Sequence, residues 1–413
     1  MKQDVLVLGG GVIGVCSAYY LNKQGYRVTV IDKNEIGKGC SFGNAGYITP
    51  SHFIPLSAPG MISKGLKWMF NPESPFYMKP RFDASFIKWL FQFSNACTNK
   101  HVHHVKKILL ELNLQSMSLY KELRSEINFL LEQNGLLMLY NSEKGLEGEA
   151  KTVQMANELG LNATLVSKKD VLEKEPELDL DILGGAFYPE DGHTNPYQFV
   201  SALRSYLESR GVNFIEHSEI TDISVQNKQI TSVRCSEHEF TATQYVLAMG
   251  SWSPSLAKKL ALNLPVQAGK GYSTTFKNTL FNFKTPFILT EAKVAVTPLQ
   301  DEIRFGGTME LSGNDLTINQ RRVNGILKSI KSYYPKFNPD LVSRQTIWSG
   351  LRPCSPDGVP IIGRYKSCNN LVIATGHAMM GLSLGPITGK LVEEIISESP
   401  SSLPLHQLTP ERF

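Results

Sequence analysis

Long apolar runs are missing from this chain: nothing in its 413 residues approaches the ~20 consecutive apolar positions of a bilayer-crossing helix, so no membrane span is expected. The apolar start Asp4–Leu8 is broken at once by Gly9, Gly10 and Gly11, which is not the unbroken core of a signal peptide. Cysteine is scarce. The six (Cys16, Cys40, Cys97, Cys235, Cys354, Cys368) lie far apart with no C-x-x-C pair, so reduced thiols and a cytoplasmic location are expected rather than a disulfide framework. Charge of one sign is scarce as well. Forty-two basic against 38 acidic residues leave +4, too little and too scattered to expect a nucleic-acid partner. His101, His103 and His104 have no Cys or carboxylate partner at ligand spacing, and a solvated helix start is expected there rather than a metal site.

Hydrophobic residues, at 42%, suit a globular protein, and the length exceeds one compact core. The chain opens as a β-α-β unit: an apolar strand over Asp4–Leu8, a helix of small residues over Val12–Asn22, and a β-branched strand over Tyr26–Ile31. Apolar positions Ile108, Leu112, Leu119, Leu123 and Ile127 recur at helical spacing, which predicts one long amphipathic helix over His104–Ile127, assigned to packing. Short strands are expected from 212 to 248 and, without crossover helices, from 265 to 310. A βα pattern returns at Leu371–Ala374 and Leu384–Ser397. The expected class is α/β: a Rossmann-like nucleotide-binding domain over 1–50, 196–260 and 341–413, with an α+β substrate domain over 51–195 and 261–340 built on a largely antiparallel sheet.

Gly9-Gly10-Gly11-Val12-Ile13-Gly14 satisfies G-x-G-x-x-G. Alone that pattern is weak, but here it follows a strand, opens a helix and precedes Asp32, eighteen positions beyond Gly14. Gly9 permits the tight turn, Gly11 lets backbone approach a pyrophosphate, and Gly14 allows close helix–strand packing. The helix N-terminus favours the anion. Asp32 suits a ribose hydroxyl and repels a 2′-phosphate. FAD and NAD share this fingerprint. No second fingerprint for a nicotinamide donor occurs, and two further glycine-rich segments, Cys40-Ser41-Phe42-Gly43-Asn44-Ala45-Gly46-Tyr47 and Gly376-His377-Ala378-Met379-Met380-Gly381-Leu382-Ser383, suit the long flavin cofactor and a second helix N-terminus near its ring.

With RFGGTMEL and GLRPCSPDGVPIIG added, these segments resemble the D-amino-acid oxidase/dehydrogenase superfamily of FAD enzymes, nearly end to end. Order and spacing most resemble the bacterial D-amino-acid dehydrogenases of the small-subunit type, including an aromatic, Pro-rich insertion around 52–97. The resemblance implies that Gly9, Gly11, Val12, Ile13, Gly14, Asp32 and Lys33 hold the ADP half of FAD. Ser41, Asn44, Ala45 and Gly46 would run along pyrophosphate and flavin, Ile220 would meet adenine, and Gly250 and Trp252 would border the pyrophosphate. Gly376, His377, Met380, Gly381, Leu382 and Ser383 would lie against the ring system. Arg352 matches the arginine that pairs with the substrate carboxylate, a task for which a planar guanidinium is suited. The plain alternative is a structural arginine. Tyr272 is expected to share the carboxylate, border the pocket or sit in the core. His377 would contact substrate, tune the flavin or only bind backbone. His52 is assigned no role. Some relatives attach flavin through a cysteine at the position held here by Gly350, so non-covalent FAD is expected.

The activity implied is oxidative deamination of a D-amino acid by hydride transfer from the α-carbon, with electrons passed to a quinone or carrier. Oxidation of a cyclic or N-methylated amino acid (hydroxyproline, sarcosine, glycine) would keep every motif, an NAD-dependent dehydrogenase is a rival of another class, and a non-catalytic FAD-binding subunit is a third. In the insertion Trp68, Phe70, Phe76, Tyr77, Phe86 and Trp89 alternate with Lys64, Lys67, Lys79, Arg81 and Lys88. That mixture suits either peripheral contact at the inner face of a membrane or a lid over the site.

Overall fold

The computed structural model describes residues 3–69, 71, 73–236, 238–277, 283–338 and 347–413. The opening β-α-β unit forms where its pattern places it: strand Asp4–Leu8, helix Val12–Lys23 and strand Arg27–Ile31. The two strands pair in parallel, Val5 beside Val28 and Leu8 beside Ile31. Around them a six-stranded sheet runs in the order 361–365, 368–375, 244–247, 4–8, 27–31, 213–215. Only its edge strand Ile361–Tyr365 is antiparallel to its neighbour.

Small residues bring the first and last helices together. A β-carbon at Gly389 would fall 2.5 Å from the Cys16 carbonyl, and one at Gly385 would fall 2.9 Å from the Val12 side chain. Helix Gly385–Ile396 therefore lies directly on helix Val12–Lys23, which fixes the C-terminal glycine-rich turn beside the N-terminal one. The predicted long helix spans Asn99–Glu126, with the Thr98 hydroxyl accepting from the His101 amide. Its Val105, Ile108, Leu109 and Leu112 pack with Ile387 and Leu391.

The second sheet is largely antiparallel, in the order 347–354, 267–277, 302–311, 294–299, 287–289, 136–140, 184–188, 164–167. Strand Phe76–Met78 of the insertion adds to it in parallel, Met309 beside Phe76. The expected division at 340/341 lies outside the described residues, and strand Ile347–Cys354 just beyond it pairs into this sheet beside Gln267–Lys277.

The insertion carries more regular structure than its composition announced. Helices Met61–Met69 and Ala84–Ala96 flank the added strand, and the Asp83 side chain accepts from the Phe86 amide to start the second. Phe70 lies outside the described residues. Phe86 and Trp89 are buried, whereas Phe82 and Phe91 are 97% and 67% exposed. The inward rings thus act as a cover, and a different set of apolar side chains faces out. Among the described residues no helix is long and apolar enough to cross a membrane.

Candidate active site

A continuous cavity of about 900 Å³ runs between the two sheets, at the upper end of the range for small-molecule sites. Parallel strands end at its rim. Gly9, Asp32 and Ala248 directly follow strands ending at Leu8, Ile31 and Leu247, and all three line it, as ligands in open α/β sheets require.

Gly9 has φ 110°, and a β-carbon there would fall 2.5 Å from the Ala248 carbonyl oxygen; at Gly14 it would fall 1.8 Å from the Gly9 carbonyl oxygen. Asp32 ties the turn together, accepting from the Gly10 amide at 2.7 Å and the Asn34 amide at 2.8 Å. Lys33 stands 4.2 Å over the Trp252 ring, both in the cavity wall. The Ser41 hydroxyl accepts from the Val12 amide at 3.0 Å, so the glycine-rich loop caps the first helix.

Buried Arg304, within RFGGTMEL, holds that loop. Its Nη1 donates to the carbonyls of Phe42 and Asn44 at 3.0 and 2.7 Å, and burial pushes its pKa down to about 10. Nothing in sequence alone singled it out, because the contact joins positions 260 residues apart.

Of the residues expected at the site, Gly9, Gly11, Val12, Ile13, Asp32, Lys33, Ser41, Asn44, Ala45, Ile220, Gly250, Trp252, Tyr272, Arg352, His377, Met380, Gly381, Leu382 and Ser383 line the cavity. Gly14, Gly46 and Gly376 do not. Gly14 serves packing, and Gly46 and Gly376 take turns at φ 89° and 78°. Ser383 reaches the cavity, but its hydroxyl is taken: it accepts from the Thr49 amide at 3.0 Å and donates to Asn113 Oδ1 at 2.6 Å.

Arg352 is the site's main cation. Its Nη1 donates to the Thr308 carbonyl at 2.7 Å, and its guanidinium covers Gly271. No carboxylate among the described residues pairs with it, and burial lowers its pKa from the usual range. A desolvated guanidinium with open donors is a seat for a ligand carboxylate. Thr308 itself holds φ 68°, at a register shift between strands 267–277 and 302–311, where Lys270 faces Glu310 but Tyr272 faces Gly307. This bulge turns the Thr308 carbonyl toward the arginine.

Tyr272 borders the cavity with its ring in the core, two of the three readings open for it. Its side chain belongs to the core cluster with Phe276, Phe305 and Ile326, and its hydroxyl donates to Glu310 at 2.9 Å. Strand alternation sends it to the face opposite Gly271. His377 is buried, its Nε2 2.9 Å from the Thr388 hydroxyl, and burial lowers its pKa to about 3, so the ring is neutral. Two further side chains enter the wall, Lys293 and His52. His52, read as incidental, is held neutral by burial, its pKa pushed down to about 4. His101 Nε2 lies 2.7 Å from the Asp357 carbonyl.

These features fit FAD. The cavity passes from the fingerprint turn, past Ile220 and Trp252, to Arg352. Along it Gly250, at φ 54°, has no atom within 4 Å of its missing β-carbon, which leaves the bare backbone that a pyrophosphate needs.

Residues 4–395 match the family described as FAD dependent oxidoreductase, DAO. The chain is 34% identical over 403 residues to a D-amino acid dehydrogenase of Granulibacter bethesdensis, covering 95% of each chain. It is 33% identical to another D-amino acid dehydrogenase, from Vibrio atlanticus, over the full length of both. In fold it matches a glycine oxidase from Geobacillus kaustophilus with a TM-score of 0.79 at 23% identity, covering 100% of this chain and 99% of that one. An L-proline dehydrogenase from P. horikoshii matches with a TM-score of 0.76 at 20% identity, covering 100% and 98%. The chain therefore belongs to the DAO family of FAD-dependent oxidoreductases.

Proposed function

We propose that this enzyme oxidises a D-amino acid at its α-carbon, giving the 2-oxo acid and ammonia, and passes the electrons to a quinone or another carrier. The observation that carries this reading is the Arg352 guanidinium, set in the cavity wall on Gly271 with no carboxylate partner among the described residues. The full-length relatives at 33–34% identity bear the same activity in their names.

The chain's own residues divide the work. Arg352 grips the substrate carboxylate through paired hydrogen bonds, which fixes the α-carbon in place. The substrate nitrogen must be neutral, so that its lone pair forms the C=N bond as hydride leaves; water then hydrolyses the imine. Bound FAD supplies the two-electron acceptor for that hydride. Gly9, Gly11, Val12 and Ile13 would hold its pyrophosphate, with Gly250 and Trp252 bordering it. Asp32, Lys33 and Ile220 would hold its nucleoside. Ser41, Asn44 and Ala45 would run along pyrophosphate and flavin, and His377, Met380, Gly381 and Leu382 would lie against its ring. The flavin would be held non-covalently. Gly350 offers no side chain, and Cys40, which lines the cavity, has its sulfur engaged by the Leu351 amide at 3.2 Å and its pKa raised by burial.

The outer face of the insertion supports peripheral contact with the inner face of a membrane, where a quinone would be met. Phe82, Ile87 and Phe91 are exposed there with Lys88 among them.

Anaerobic flavin bleaching with a panel of D- and L-amino acids and imino acids tests the reading. Bleaching by D-amino acids supports it. Bleaching confined to cyclic or N-methylated amines would redirect it to those substrates, and bleaching by none would leave an FAD-binding subunit without this chemistry.

A further inference from the structure

Lys293 ends a tight turn whose closing hydrogen bond runs from its own amide to the Leu289 carbonyl at 2.8 Å. Its backbone is left-handed, φ 56°, a conformation that costs a non-glycine residue free energy and persists where the surroundings impose it. Ala295, two positions on in strand Val294–Leu299, also lines the cavity.

Sheet register places Lys293 opposite the arginine. The Arg352 guanidinium covers Gly271 in strand 267–277; strand 302–311 comes next, then strand 294–299. Strand 294–299 pairs with strand 302–311 with Ala295 beside Gly306, so continuing that register two positions brings Lys293 alongside Thr308, whose carbonyl receives Arg352, and both cations line the cavity. Two strand spacings, roughly 10 Å, separate the backbone at Gly271 from that at Lys293, a span within reach of a four-carbon lysine stem. A small amino acid with its carboxylate on Arg352 fills what remains.

Four charged or titratable groups surround Lys293: His52 at the head of the insertion, Lys64 on helix Met61–Met69, Glu149 on helix Glu143–Glu158, and Glu291 in the turn. His52 is neutral, and Glu291 is engaged by the hydroxyls of Ser142 and Tyr333. Glu149 is buried, with Oε2 lacking a hydrogen-bond partner among the described residues, and acts on Lys293 through charge alone.

Resting on the substrate reading above, we propose that Lys293 is the proton acceptor that converts the bound amino acid from its ammonium to its amine form. An N–H bond of the substrate ammonium breaks and one forms on Nζ. The positive charge passes to Lys293 with Glu149 behind it, and the freed lone pair on the substrate nitrogen becomes the C=N bond as hydride leaves. Two ammonium groups brought together in one cavity oppose each other's charge. Burial lowers the Lys293 pKa from its usual value and raises that of Glu149 to about 7, both of which suit the exchange.

The test is stopped-flow anaerobic flavin reduction by D-alanine from pH 6 to 10, in the wild-type holoenzyme and in Lys293→Met and Lys293→Arg. Benzoate, a carboxylate without an amine, reports on the Arg352 side of the cavity through its flavin difference spectrum. In Lys293→Met the rate at pH 7 falls roughly 100-fold and recovers about tenfold per pH unit as the free substrate amine forms, while benzoate binds as before. Lys293→Arg, permanently charged, behaves like the methionine variant. Parallel pH profiles in Lys293→Met and wild type, or wild-type rates in Lys293→Arg, would overturn the proposal. So would loss of benzoate binding in both variants, since Lys293 would then shape the pocket rather than move a proton. Wild-type flavin that no D-amino acid reduces at any pH would instead remove the substrate reading, and this inference with it.

Discussion

The guanidinium of Arg352 rests on the bare α-carbon of Gly271: a β-carbon there would lie 2.2 Å from Nη1 and 2.4 Å from Cζ. The atoms in the way are the end of a flexible side chain, so Gly271→Ala moves the arginine rather than the strand. Paired charge-assisted hydrogen bonds are worth about 1.5–3 kcal/mol, so kcat/KM for D-amino acids should fall roughly 10- to 100-fold, mainly through KM. FAD content and melting temperature should stay near wild type. Steady-state kinetics on flavin-saturated enzyme checks this, and an unchanged KM would detach Arg352 from the substrate.

The fingerprint was legible because each glycine answers a local demand: Gly9 turns, Gly14 packs against the Gly9 carbonyl. The turn at Gly9 and the contact of Gly14 with it lie within the motif, although Gly9 also abuts the distant Ala248 carbonyl. The helix from Asn99 was legible through its apolar repeat, although its first turn was not. Tyr272 illustrates the limit. Its proximity to Gly271 in sequence put it near the arginine, but period-two alternation in strand Gln267–Lys277 sends the two positions to opposite faces, and only pairing with Gly307 and Ser349 reveals which face is the cavity. Lys293 and His52 matter through contacts across strands and from the insertion, which no local pattern encodes. The inward and outward faces of the insertion likewise depend on where Phe76–Met78 docks on Met309–Leu311.

Asp32 receives two backbone N–H groups, from Gly10 and Asn34, so it shapes the fingerprint turn even before any ribose is considered. Asp32→Ala leaves the Gly10 amide without its acceptor, at a cost of about 1–3 kcal/mol for a buried donor. The expected result is at least a tenfold weaker FAD affinity with a folded apoprotein, read by flavin fluorescence titration. Wild-type affinity in this variant would mean that the turn is set by the glycines alone.

Buried Asp191 accepts from the Ser51 amide at 2.9 Å and from its hydroxyl at 2.5 Å, tying the chain just before His52 to the turn ahead of helix Pro196–Ser209. Burial pushes its carboxyl up to about 8, against the ordinary 3.8. A raised folded-state pKa contributes stability that is complete below the unfolded value and is lost as pH rises through the folded one. Wild-type stability should therefore decline from about pH 4 to pH 8 through this group. Asp191→Asn removes the titration, so its melting temperature should gain on that of wild type steadily across this window. Parallel curves for the two proteins would show Asp191 to be ionised in the folded state.

Trp89 links the insertion to the arginine strand. Its Nε1 donates to the Cys354 carbonyl at 3.0 Å, two residues beyond Arg352, and its ring stacks on Phe93 at 5.0 Å. Trp89→Phe keeps the stacking but leaves the Cys354 carbonyl short of a donor in a buried place, which costs about 1–3 kcal/mol. That loss falls on the contact between cover and sheet rather than on the nucleotide fold, so FAD affinity should hold while residues 61–96 become more open to hydrogen exchange. Because the same contact steadies the backbone carrying Arg352, KM should rise a few-fold with kcat little changed. Uniformly faster exchange across the whole chain, with weaker FAD binding, would place Trp89 in general stability and deny it a role in coupling the cover to the substrate site.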